Sequence, residues 1–147
     1  MTDSVLKSVM RLLAIIGNLR TNVGNSDVDA NYKHALNITD AYLNQLLNPE
    51  QVQRYLQIFD FHYKNLVKKK TISSQKRISL YSVKTLLICE QINEAVEAKQ
   101  KIYIIIQLLD ILSSSQELTD EAFEFVKTIA ESIGIKPIIP FMVWFSE

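Results

Sequence analysis

Three glycines and three prolines are spread over 147 residues, and that scarcity limits what the chain can fold into more than any motif does. Tight turns draw on these residues for their backbone angles, so their rarity leaves long elements joined by few connections. Between the breakers, apolar residues recur at helical spacing. Val5, Val9, Leu12, Leu13, Ile16 and Leu19 share one face over residues 4–20, a first amphipathic helix, and Lys7, Arg11 and Arg20 break the apolar run at helical spacing. After the turn-forming TNVGNSD, a second stripe runs through Tyr32, Ala35, Leu36, Ile38, Tyr42, Leu43 and Leu46.

Start and stop signals sharpen the boundaries. Asn48 can cap a third helix, Pro49 suits its first position, and Gln51 sits where a capping box places an amide. That helix carries Val52, Tyr55, Leu56, Phe59, Tyr63 and Leu66. A fourth is expected from about Ser79, with Leu80, Val83, Leu86, Leu87, Ile92 and Val96 as its buried positions. KIYIIIQLLDIL has a β-branched cluster, but it outlasts the usual strand and has no second strand to pair with. It reads as a helix apolar nearly all round, hence central. The sixth helix is expected to start at Thr119, with Phe123, Val126, Ile129, Ala130 and Ile133 as its stripe. Gly134, Ile135 and Pro137 then form a stop signal. The expected fold is all-α, one bundle of about seven helices over the whole chain, with Ile105, Leu109, Val126 and Ile129 at its centre. RLLAII and QLLDIL, each followed by a polar turn and an amphipathic helix, form a weak internal echo suggestive of duplicated helix pairs.

Charge and cysteine usage narrow the function. Lys+Arg and Asp+Glu both number 16, so no global field recruits nucleic acid or an anionic membrane. The single cysteine, Cys89, rules out an intramolecular disulfide and fits a reducing compartment. VLKSVMRLLAIIGNLR lacks the basic leader and cleavage site of a signal peptide. The longest apolar run, Ile102–Leu112, is too short to span a bilayer. A cytoplasmic domain is expected, without membrane insertion of its own and reaching a membrane only through a larger assembly.

Candidate chemistry is sparse. SSSQELTDE offers Glu117, Asp120 and Glu121 as oxygen ligands, but it has no glycine to fold a cation loop, and capping and dipole matching account for these residue types. His34 and His62 lie on different helices without a partner at ligand spacing. Cys89, among apolar neighbours and beside Glu90, is expected to stay a protonated thiol. No serine-nucleophile pattern and no glycine-rich phosphate loop occurs, so no catalytic residue and no cofactor is expected. Lys68, Lys69, Lys70, Lys76 and Arg77 form a basic connector, read first as a solvated loop and second as a contact for an anionic surface or partner domain. The tail PIIPFMVWFSE is apolar nearly to its end, which marks Phe141, Trp144 and Phe145 as interface candidates and suggests an amino-terminal piece of a longer protein.

LLDILSSSQELTDEAFEFVKTIAESIGI resembles the tellurite-resistance TerB family, in which an apolar helix, a short turn and an acid-led helix of the pattern E-F-V-x-x-I-A recur. RISLYSVKTLLICEQINEAVEAKQKIYIIIQLLDIL is similar to the helical region preceding ATP-binding cassette ATPase domains in certain bacterial proteins. The resemblance implies a TerB-like bundle with duplicated helix pairs. In the family, an Asp-Gly turn and following acids are associated with metal binding; here Ser115 and Gln116 occupy the turn, while Glu117, Asp120 and Glu121 remain. Two functions follow as expectations. The first is a non-catalytic accessory or interaction domain attached to an ATP-binding cassette ATPase, its partner the following ATPase-type domain or a second copy of itself. The alternative is a stand-alone TerB-like, metal-linked stress-response protein.

Overall fold

The computed structural model of the chain describes residues 1–21, 28–68, 74–112 and 120–135. They form six helices and, among the described residues, no strand: α1 (Asp3–Thr21), α2 (Val28–Leu46), α3 (Pro49–Lys68), α4 (Ser74–Ala95), α5 (Ala98–Leu112) and α6 (Asp120–Ser132). The all-helical bundle expected from the sequence is the observed architecture. The apolar tail after Lys136 lies outside the described residues.

Local chemistry sets the helix ends. Thr2 Oγ1 accepts from the Val5 amide at 3.4 Å, and Asn48 Oδ1 accepts from the Gln51 amide at 3.1 Å, each satisfying a donor that a helix start would orphan. α6 closes with the Gly134 amide on the Glu131 carbonyl and the Ile135 amide on the Ala130 carbonyl, both at 3.0 Å. Gly134 takes φ of 85° to make that closure, and Ile135 folds back into the core.

α1 is the central helix, and this revises the expectation that α5 is. It touches α2, α3, α4 and α5, while α6 bridges α4 and α5. Val5, Leu6, Val9, Met10 and every residue from Leu12 to Asn18 are buried, so α1 is enclosed on nearly every side. Lys7 and Arg11 give it an amphipathic look, yet of the two only Lys7 is exposed and Arg11 is half-buried. α5 buries Ile104, Ile105, Leu108, Leu109, Ile111 and Leu112, but Ile102 and Tyr103 in its first turns face out.

Small residues let the helices meet. A Cβ at Gly17 would stand 3.1 Å from Ala35 Cβ and 3.1 Å from Tyr63 Cε2, so α1 approaches α2 and α3 as closely as a bare backbone allows. Phe59, Tyr63 and Tyr32 stack beside it, with ring centroids 5.8 Å and 5.1 Å apart. Tyr32 donates to Asp60, which also pairs with Lys64 at 2.8 Å, and Tyr55 donates to Asp3. These two tyrosine–carboxylate ties pin α3 to α2 and to the start of α1.

α4 departs most from expectation. It begins at Ser74, five residues before Ser79, because the polar QKR run continues the helix without an apolar stripe to announce it. Its buried face, among the described residues, is Thr85, Ile88, Cys89 and Ile92, and Val96 is buried just past its end. Val83, Leu86 and Leu87, expected in the core, are exposed by 59%, 44% and 60%. No helix among the described residues is long and apolar enough to cross a membrane.

Candidate functional site

At 100° per residue, Thr85, Ile88, Cys89 and Ile92 fall on one side of α4 and Val83, Leu86 and Leu87 on the other. A helix packed from one side can bury only one of two opposite apolar faces. Contacts with α1 and α6 select the face that includes Thr85 and Ile92, and the other is left outward. Other exposed large apolar residues, such as Leu46, Phe61, Ile102 and Tyr103, stand singly or as a neighbouring pair on other helices. Among the described residues, only on α4 do three share a helical face, and a grouped patch of this kind marks contact with another molecule more often than a scattered leucine does.

Beside this stripe runs a cleft of about 540 Å³ between α4 and the exposed edge of α1. Arg11 lies on the α1 side; Lys84, Leu87, Ile88, Glu90, Gln91 and Glu94 line the α4 side. Ser8 closes one end by donating to Gln91 Oε1 at 2.8 Å, which fixes the spacing of the two helices. The face is therefore apolar at its centre, cationic at Lys84, and acidic toward its C-terminal end at Glu90 and Glu94.

The titratable groups serve the fold. Burial pushes the Cys89 thiol up to about 12, which makes it inert as a nucleophile, as its apolar neighbours in the sequence suggest. Burial likewise raises the Tyr42 and Tyr63 phenols to about 12. Hydrogen bonds from Tyr55 and Lys7 hold the Asp3 carboxyl below its ordinary range. Burial pushes Asp60 up, but Lys64 and Tyr32 outweigh it and the net shift is downward. The histidines do not meet. His34 Nε2 contacts the Asp110 carbonyl at 3.0 Å, tying α2 to α5, whereas His62 is half-buried on α3, stacked edge-on by Phe61 and depressed by burial and by Arg11.

Asp120 and Glu121 stand in the first turn of α6; their side chains and Glu117 lie outside the described residues. Among the described residues no group of three His, Cys, Asp or Glu is gathered as a metal site. Lys68 ends α3, and Lys76 and Arg77 lie in the first turn of α4 instead of in a loop, which corrects the reading of one continuous basic connector. Lys69 and Lys70 lie outside the described residues, as do Phe141, Trp144 and Phe145. The outer face of α4 was missed by the sequence reading, although its signal was present. Two apolar stripes half a turn apart had been merged into a single buried set.

No family model, curated protein or solved structure matches the chain.

Proposed function

We propose that this chain is a non-catalytic interaction domain that works through the outer face of α4. The exposed, clustered Val83, Leu86 and Leu87 carry the reading. Full burial of such a side chain returns about 1.5–3 kcal/mol, and these are half exposed, so each still forgoes roughly half of that and the three together give a partner a reason to bind. The rest of the described surface supports this role. Its one thiol is buried and protonated, and Asp3 and Asp60 are engaged by tyrosines and by basic side chains.

The resemblance of residues 77–112 to the helical region before ATP-binding cassette ATPase domains adds the wider setting, an accessory domain of a cytoplasmic ATPase. The TerB-like architecture with paired helices belongs to the same proposal. The packing of α1 against α5, which hold the echoing RLLAII and QLLDIL, supports it.

Photo-crosslinking in the producing cell tests the reading. A benzophenone side chain at position 87 is expected to give a discrete protein adduct, while the same group at exposed Gln57 on α3 gives none. Equal labelling at both positions, or no adduct at 87, contradicts it.

A further inference from the structure

We draw no further inference here: the strongest candidate, the cleft between α1 and α4 beside the exposed apolar face of α4, carries nothing, because Arg11 and Lys84 on its walls are offset by Glu90 and Glu94, and nothing in the structure shows what fills it or covers that face.

Discussion

Gly17 and Gly134 do different work, and each can be tested by one substitution. Gly134 holds φ of 85°, and a Cβ there would lie 2.5 Å from Asn93 Oδ1, the oxygen that accepts from Lys101 Nζ at 2.8 Å. Gly134→Ala is expected to cost about 1–2 kcal/mol of stability for the left-handed backbone alone, read as a lower urea midpoint. Gly17 needs space: Gly17→Leu would drive a side chain into Ala35 and Tyr63 and should cost at least about 1–3 kcal/mol. Ile129, 1% exposed, tests the core itself. Ile129→Ala should lower stability by about 2–5 kcal/mol, and an unchanged midpoint would place Ile129 outside the core.

His62 gives the fold a pH dependence of definite sign. Burial and Arg11 lower its pKa below the ordinary 6.5, so below that pH the unfolded chain takes up the proton more readily than the folded one. Its contribution is complete above about pH 6.5 and is lost as pH falls toward the depressed folded value. Thermal midpoints measured from pH 7.5 down to 5.5 should therefore fall, and His62→Gln should flatten the slope; an identical slope in the variant would assign it elsewhere. Asp3 and Asp60, also lowered, add losses of the same sign in more acidic solution.

At the scale of elements, the chain's helices were legible because their caps are local. Asn48 and Pro49 start α3, and Gly134 with Ile135 ends α6, through contacts spanning a few residues that need no knowledge of the fold. The facing of helices was less legible. Periodicity reveals that a stripe exists, but only topology decides which stripe meets a neighbour, and α4 carries two. α1 shows the same limit from the other direction, since Lys7 pairs with Asp3 at 3.1 Å at its exposed start while every residue from Leu12 to Asn18 is buried. The candidate face could be read only once α1 and α6 had claimed the opposite side of α4. Alanine substitutions compare the two sides directly. In dilute protein, Ile92→Ala should cost about 2–5 kcal/mol, whereas Leu87→Ala should stay within about 0.5 kcal/mol of wild type. Comparable losses at both would mean that Leu87 belongs to the core.

For the whole molecule, the account joins a bundle organised around α1 to an apolar face that needs a partner. The enclosed α1 and the Tyr32–Asp60 and Tyr55–Asp3 ties give a fold that stands without the outer face of α4, so folding of the monomer and association through Leu87 are separable. The most direct measurement is the urea midpoint of wild type and Leu87→Lys in dilute protein. The account predicts that the two midpoints agree to within about 0.5 kcal/mol, because Leu87 is 60% exposed and lies outside the core. A variant several kcal/mol less stable than wild type would contradict it.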